Sequence, residues 1–545
     1  MKLNHTGLFL ASVILFAACK SNKETKIAIT ADDIKSHIAV LADDSLQGRK
    51  PFTAGETKAT AYIASQFKKL GLEPGNNGSY FQDVPMVEIT SKPAGNMEIT
   101  GGKSSLSLQY LTDFVTSTRR ELDTVQLKNS PLVFAGYGVV APEYNWNDYA
   151  GLDVKGKTVI VLVNDPGFKS GEKIFKGDTM TYYGRWTYKY EEAARRGAAG
   201  VIIVHQTEPA SYGWNVVTNS FTGAKLYLQQ KDKHLSRCRA EGWMTEDAAK
   251  KLLAAAGITG DMRAIARKKG FKAMPLNLNA SLVTNNKLKY ATSRNVIASL
   301  KGSSNAGEYI LYTAHWDHLG MGKPDAKGDS IYNGAVDNAS GVAALLSVAK
   351  AFTHLKDKPK RAIVFLAVTA EEQGLLGSEY YATHPVYPLN KTVADLNMDA
   401  LGDYGETNDF AITGKGQNDL EDYVATFATK DGKKIVGDKN PGAGGYYRSD
   451  HFNFAKVGVP ALDMNNGAES TAHGEAWGKQ QQKDYGEHRY HQAADNYSPT
   501  MDANGMAQVA NLLFKVGVQL SSETTFPGWK NGSEFKAVRE RSIGK

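Results

Sequence analysis

Between residues 309 and 399 the chain alternates short apolar runs with amphipathic stretches, and each apolar run ends in acidic or histidine residues. YILYTA leads into His315 and Asp317 of HWDH, RAIVFLAVT into Glu371 and Glu372, and TVADLNMDA ends at Asp399. Between the first two, GAVDNASG places Asp337 in a Gly-rich loop before GVAALLSVAKAF, whose Val342, Leu345, Leu346, Ala349 and Phe352 recur at helical spacing. Apolar runs of about 5 to 8 residues alternating with amphipathic helices predict an α/β fold with a doubly wound, mostly parallel sheet. In such a sheet, ligands gather at the carboxyl ends of the strands. His491 and Asp495, in YHQAAD, precede the last amphipathic run, MAQVANLLFKVGVQL. The pattern therefore predicts two histidines and several carboxylates on one rim.

Upstream, ADDIKSHIAVLADD and TKATAYIASQFKKLGL read as two amphipathic helices, the first capped by Thr30 and the second stopped at Gly71. From about 125 to 287 a different texture intervenes: SPLVFAGYGVVAP, the strand KTVIVLVND and the helix–strand pair YKYEEAARRGAAGVIIVHQ. This stretch predicts an inserted, smaller, β-rich α/β domain. Within it GWMTEDAAKKLLAAAG reads as a helix with Thr245 and Asp247 at its start and Gly257 at its end. GLDVKGKT, residues 151 to 158, satisfies the phosphate-loop pattern GxxxxGK[ST] but precedes a strand instead of following one, so it reads as a turn. No GxSxG and no HExxH occurs, which removes serine-hydrolase and thermolysin-like chemistry from the front rank.

Mixed imidazole and carboxylate ligands suit zinc better than calcium or magnesium, and the absence of thiolates argues against a closed structural site. The candidates are too many for one tetrahedral ion. They predict two Zn2+ per chain sharing a carboxylate, a hydrolytic arrangement with the ions ~3.5–4 Å apart. Acidic residues at a helix start, as in AEEQG, commonly complement the helix dipole. That explanation does not extend to two histidines and a third acidic segment in the same order. The formal charge of +7 is not clustered on any helix, so nucleic acid is not an expected partner. Oligomeric state is not legible.

HWD, VDNASG, TAEEQGLLGS, NMDALG and YHQAAD resemble, in order, the five signature segments of the M28 family of co-catalytic zinc exopeptidases. The resemblance extends to LADDSLQGRKPFTAGETKATAYIASQFKKLGLEP and to SDHFNFAKVGVPAL, and the inserted stretch resembles a protease-associated domain. It implies that Asp337 bridges, that His315 and Asp399 complete one zinc site, and that Glu372 and His491 complete the other. Glu371 is then the general base, Asp317 holds His315 in its coordinating tautomer, and Asp495 does the same for His491. A cis peptide between Asp337 and Asn338 is implied as well. The implied activity is release of N-terminal residues from peptides. A carboxypeptidase or dipeptidase, a one-zinc glutaminyl cyclase and a non-catalytic ectodomain are the alternatives. Arg448, in GGYYRSDHF, is placed by the resemblance beside the substrate pocket, with a surface ion pair to Asp450 as the alternative. The stretch 464–490, with His473 and Trp477, is expected as a pocket wall.

The N-terminus, MKLNHTGLFLASVILFAAC, reads as an export signal whose apolar run is too short to span a bilayer. Ala17, Ala18 and Cys19 resemble a bacterial lipoprotein signal, with Phe16 departing from the usual Leu. This implies an acylated Cys19 and a periplasmic or cell-surface, membrane-anchored protein. The expected division is a signal at 1–18, a polar tether at 19–30, a peptidase domain at 31–124 and 288–522, the insert at 125–287 and a tail at 523–545. Cys238 would then be the sole thiol, precluding an intrachain disulfide, and it is expected as a chance exposed thiol between Arg237 and Arg239.

Overall fold

The computed structural model describes residues 28–102, 105–172, 174–268 and 270–544. The export signal, Cys19 and most of the tether lie outside the described residues. The first helix, α1 (Ala31–Leu41), opens with the reciprocal cap of Thr30 and Asp33, and Ile34, Ile38 and Leu41 form its buried stripe. A second helix, α2 (Ala54–Lys69), buries Ala59, Ile63 and Phe67 and is stopped by Gly71 at φ 72°. The chain then enters the long strand β1 (Phe81–Pro93) and passes into the insert.

The insert is built on three parallel strands, β2 (Thr158–Leu162), β3 (Gly200–His205) and β4 (Ala240–Thr245), with β3 in the middle. All five residues of β2 and all six of β3 are buried, as expected for strands covered on both faces. GLDVKGKT is indeed a turn into β2. Thr245 caps the helix Glu246–Ala255 through Ala248 N at 3.2 Å. Cys238 departs from expectation. It is fully buried among Val201, Ile203 and Trp243, and burial pushes its thiol well up despite the flanking arginines.

One strand, β5 (Met274–Leu300), leaves the insert and enters the main sheet without a break. Its first part pairs with Thr124–Phe134 of the insert, its middle with β1, and its end with β7 (below). The boundary expected at 287/288 thus falls inside a continuous strand. The main sheet continues with β6 (Asn305–His315), α3 (Gly341–Thr353), β7 (Arg361–Val368), β8 (Thr392–Asn397) and β9 (Ala461–Asn466). β6 lies between β7 and β8, parallel to both, and β8 is parallel to β9, while β5 closes β7 antiparallel. The chain order β6–β7–β8–β9 becomes the spatial order β7–β6–β8–β9. Because these strands run the same way, His315, Val368 and Asn397 come to one rim.

α3 is buried on nearly every side, Ala343, Ala344, Ser347 and Val348 as well as the predicted stripe. The reason is position: α3 packs on β6 while α1 and α4 (Asn504–Ser522) press on it from outside. Residues 523–544, expected as a tail, are also part of the body. Trp529 and Phe535 sit in a core with Tyr446, Tyr447, Phe452 and Phe454, and Trp529 Nε1 donates to the Gly458 carbonyl at 2.9 Å. Glu534 accepts from Lys176 Nζ and Tyr182 N of the insert, each at 3.0 Å, and from Tyr447 OH at 2.8 Å. The segment therefore ties the insert to the main sheet. Trp529→Ala should lower the unfolding free energy by about 3–5 kcal/mol, the range for a large aromatic removed from a core. Guanidinium unfolding checks this, and a loss below about 1 kcal/mol would make the segment dispensable.

Candidate metal centre

The strand ends present the expected side chains to one another. Asp337 lies at the centre, in the irregular turn Ala335–Ser340 that precedes α3, and its peptide bond to Asn338 is cis. Asp337 Oδ1 is 3.2 Å from His315 Nε2, and Asp337 Oδ2 is 3.1 Å from His491 Nε2. His315 Nε2 is also 3.1 Å from Asp399 Oδ1, and His491 Nε2 is 3.2 Å from Glu372 Oε2. Two triads therefore share one carboxylate: His315, Asp337 and Asp399 on one side, His491, Asp337 and Glu372 on the other. Glu371 stands beside the first triad, its Oε2 3.9 Å from His315 Nε2.

Most of these groups are buried, and their charges do not balance. Burial and the charges of Asp399 and Glu372 push the Glu371 carboxyl well above its usual range, against the pull of His315. Burial opposes a charge on His315, yet Asp399 and Glu371 raise its pKa far above that of free imidazole. Burial likewise opposes ionisation of Asp337, but hydrogen bonds from His315 and His491 outweigh it and hold its carboxyl well below the usual range. Divalent cations fit the same place by donor type and number, with one imidazole and two carboxylates for each of two ions. The groupings His315–Asp337–Asp399 and His318–Asp337–Glu372 each bring their ligand atoms within 4.8 Å of one another.

His318 was not foreseen. Its Nδ1 lies 2.6 Å from Glu372 Oε1, leaving Oε2 to face His491, and its Nε2 is buried without a partner. The signal was visible as the second histidine of HWDH, but only the spacing of His315 and Asp317 carried meaning in the sequence. Gly334, at φ 58°, leaves room for this ring, since a Cβ there would come within 2.6 Å of His318 Cγ.

Two supporting roles differ from expectation. His315 Nδ1 is oriented by the main-chain carbonyl of Asp317 at 3.1 Å, whereas the Asp317 carboxylate stands 3.9 Å away and accepts from Glu371 N at 3.1 Å. Asp317 therefore braces the turn carrying the two glutamates, and burial pushes its carboxyl up to about 7. Asp495 does not bond His491. It accepts from Val336 N at 3.1 Å and Asp337 N at 3.0 Å, clamping the turn that carries the shared carboxylate. Sequence spacing placed both residues near the centre but not the direction of either carboxylate.

The same turn is gripped from beneath. Arg49 is fully buried, and it donates to the carbonyls of Trp316 (2.8 Å), Leu41 (2.6 Å), Asn333 (2.5 Å) and Gly334 (3.0 Å). Ser449 Oγ donates to Asp399 Oδ2 at 2.6 Å, and Asn338 Nδ2 to the Met398 carbonyl at 3.0 Å. Ala370, Ala400 and His491, all beside or among the ligands, adopt left-handed φ of 53°, 50° and 57°. Each costs on the order of 1–3 kcal/mol and persists only where surrounding contacts overdetermine it.

Arg448 makes no pair with Asp450. It is exposed and reaches the Ala443 carbonyl at 2.9 Å, while Asp450 is buried and accepts from Ser378 Oγ at 2.5 Å. His473 and Trp477 pack ring to ring and line a cleft of about 700 Å³ with Asp403, Tyr404 and Arg489.

Residues 295–516 match the family model "Peptidase family M28", and residues 128–232 match "PA domain". The chain carries an M28 peptidase domain with a PA domain inserted. Among similar proteins, "Aminopeptidase YwaD" of Bacillus subtilis (strain 168) is 26% identical over 466 residues, 84% of this chain and 80% of that protein. A "Probable zinc metalloprotease" of Pyrenophora teres f. teres (strain 0-1) is 42% identical over 107 residues, 20% of this chain. That match spans 22% of the fungal protein's length, and a second, in Pyrenophora tritici-repentis, spans 24%. The solved structure "Aminopeptidase from Aneurinibacillus sp. strain AM-1" covers 90% of this chain and 94% of its own, at 22% identity and a TM-score of 0.48. The M28 match contains His315, Asp337, Glu371, Glu372, Asp399 and His491, while Arg49 lies outside it.

If Asp495 clamps the shared carboxylate, Asp495→Asn should weaken metal affinity by about 10–100-fold, the usual effect of losing an outer-shell partner. Competition with a chromophoric chelator measures this, and unchanged affinity would remove Asp495 from the site.

Proposed function

We propose that this protein is an exported, two-zinc aminopeptidase that removes N-terminal residues from peptides. The observation that carries the reading is Asp337, whose two oxygens each face a different histidine-bearing triad. His315 and Asp399 would hold one zinc, Glu372 and His491 the other, and Asp337 both. When bound, zinc supplies Lewis-acid polarisation of the scissile carbonyl and lowers the pKa of water in the site. Glu371 belongs to neither triad. It is placed to take a proton as the water oxygen bonds the carbonyl carbon, and to pass that proton to the amine nitrogen as the C–N bond breaks. Asp317 fixes the Glu371 backbone for that task, and Arg49 and Asp495 hold the turn of Asp337 against the loop after β6.

An aminopeptidase is favoured over a carboxypeptidase by the printed activity of the relative aligned over 84% of the chain, and by a rim rich in carboxylates that suits a substrate ammonium. Export and a lipid anchor on Cys19 rest on the sequence of residues 1–19.

Leucine reporters with a free amine should be hydrolysed and their N-blocked counterparts should not, with activity lost on chelation. Glu371→Gln keeps the shape but not the base, so turnover should fall ~10²–10⁴-fold with both zincs retained. Glu372→Gln should instead lose one zinc. Metal loss from Glu371→Gln with Glu372→Gln fully loaded would reverse the two roles, and full activity in chelator-treated protein would overturn the mechanism.

A further inference from the structure

Behind Asp399, one face of the main sheet carries a line of polar side chains through the buried interior. Asp395 and Asn397 alternate along β8 toward Asp399, while Ala394, Leu396 and Met398 between them join the hydrophobic core on the opposite face. Neighbouring strands extend the line, with Thr313 of β6 and Asp463 of β9 both in register with Asn397. Thr313, Asp395 and Asn397 are fully buried, so their polar atoms depend on one another for hydrogen bonds. The contacts run without a gap from Asp399 to Asp395. Asp399 Oδ2 meets Ser449 Oγ at 2.6 Å, and Ser449 Oγ meets Asn397 Nδ2 at 2.9 Å. Asn397 Oδ1 then meets Thr313 Oγ1 at 2.8 Å, and Thr313 Oγ1 meets Asp395 Oδ1 at 2.9 Å.

Counting hydrogens gives this chain a direction. Asp399 as a metal-binding carboxylate has no hydrogen to give, so Ser449 donates to it and must accept from Asn397 Nδ2. The second Nδ2 hydrogen goes to Asp463 Oδ1 at 3.1 Å, whose other oxygen accepts from Thr413 Oγ1 at 2.8 Å. The Asn397 amide is thereby fixed with Oδ1 toward Thr313, and the hydrogen between those two oxygens can only be that of Thr313. A threonine hydroxyl has one hydrogen. The contact between Thr313 Oγ1 and Asp395 Oδ1 therefore needs a hydrogen from Asp395. The surroundings agree: Asp395 Oδ2 is buried without a partner, and the charges that bear on the residue, those of Asp450 and Asp463, are both negative. Burial, then these charges, push its carboxyl well above the usual range, against the single bond from Thr313.

We propose that Asp395 is a carboxylic acid at the head of a one-way donor chain through Thr313, Asn397 and Ser449, and that these four side chains are positioning residues for Asp399. The chain occupies Asp399 Oδ2 and leaves Oδ1, 3.1 Å from His315 Nε2, as the oxygen for a metal ion. An ionised Asp395 would claim the Thr313 hydrogen and leave Asn397 Oδ1 facing another oxygen, loosening the amide from which Ser449 accepts. The proposal rests on the two-zinc reading of the adjoining site and deepens it: Asp399 holds its ion through one oxygen, and the choice of that oxygen is made inside the sheet.

Two measurements test it. The first is zinc affinity by chelator competition on the full chain, for the wild type, Ser449→Ala, Thr313→Val, the double variant and Thr313→Ser. Ser449→Ala and Thr313→Val should each weaken one of the two zinc ions by about 10-fold or more, as loss of an outer-shell partner does, and leave the other within about 2-fold. Because both act through one chain, the double variant should be within about 2-fold of Ser449→Ala alone, and Thr313→Ser should restore wild-type affinity. The second is the infrared difference between the wild type and Asp395→Asn. It should show the carbonyl stretch of a protonated carboxyl group at neutral pH, present only in the wild type and shifted in heavy water. Unchanged affinity in Thr313→Val, or losses that multiply in the double variant, would overturn the chain. Absence of the carbonyl band would overturn its direction, and this readout decides the matter if Thr313→Val does not fold. Binding of a single zinc by the wild type would overturn the two-zinc reading, and the infrared difference would then decide the state of Asp395 alone.

Discussion

Everything at the centre of this fold follows from crowding carboxylates where water is scarce. Asp337, Asp399, Glu371 and Glu372 converge on two imidazoles, and without added positive charge the histidines must keep protons that free imidazole would lose. Such a cluster is costly unless something compensates it. The fold answers with fixed geometry: parallel strands β6, β7 and β8 bring their ends to one rim, and the loops beyond them are held by main-chain bonds to Arg49, Asp317 and Asp495. None of these three groups need touch a metal to matter. They prevent the carboxylates from relaxing apart, and that keeps Asp337 able to face two histidines at once.

The centre also explains why distant parts of the chain are needed. Arg49 comes from the short turn after α1, more than 260 residues before Trp316, whose carbonyl it binds. The insert separates these partners in sequence, yet β5 runs straight through both units, so the insert is joined to the peptidase sheet by continuous backbone. The C-terminal segment adds a second tie through Glu534 and Trp529. An insert fixed at two places is held firmly against the peptidase sheet.

Most of the main sheet and the clustering of His315, Asp337, Glu371, Glu372, Asp399 and His491 was legible in the sequence because both depend on local regularities. Apolar runs ending in His315, Glu371 or Asp399 reveal strand ends directly, and the structure brings the residues together as the pattern predicts. What escaped depends on direction and on contacts distant in sequence. Spacing placed Asp317 and Asp495 near their histidines but could not show that their carboxylates turn to backbone N–H groups. His318 was overlooked because one extra histidine has no periodicity to mark it. Cys238 looked exposed between two arginines, although alternation along the chain lets its neighbours point outward while it faces the core. The tail looked detached because its two anchoring aromatics, Trp529 and Phe535, lie in a short polar stretch.

The central claim is that one carboxylate, Asp337, joins two cation sites. Crystals of the protein prepared with zinc, measured on either side of the zinc absorption edge, test it most directly. The account predicts two anomalous peaks per chain, one among His315, Asp337 and Asp399 and the other among Asp337, Glu372 and His491. A single peak at full zinc loading, or two peaks of which only one touches Asp337, would contradict it.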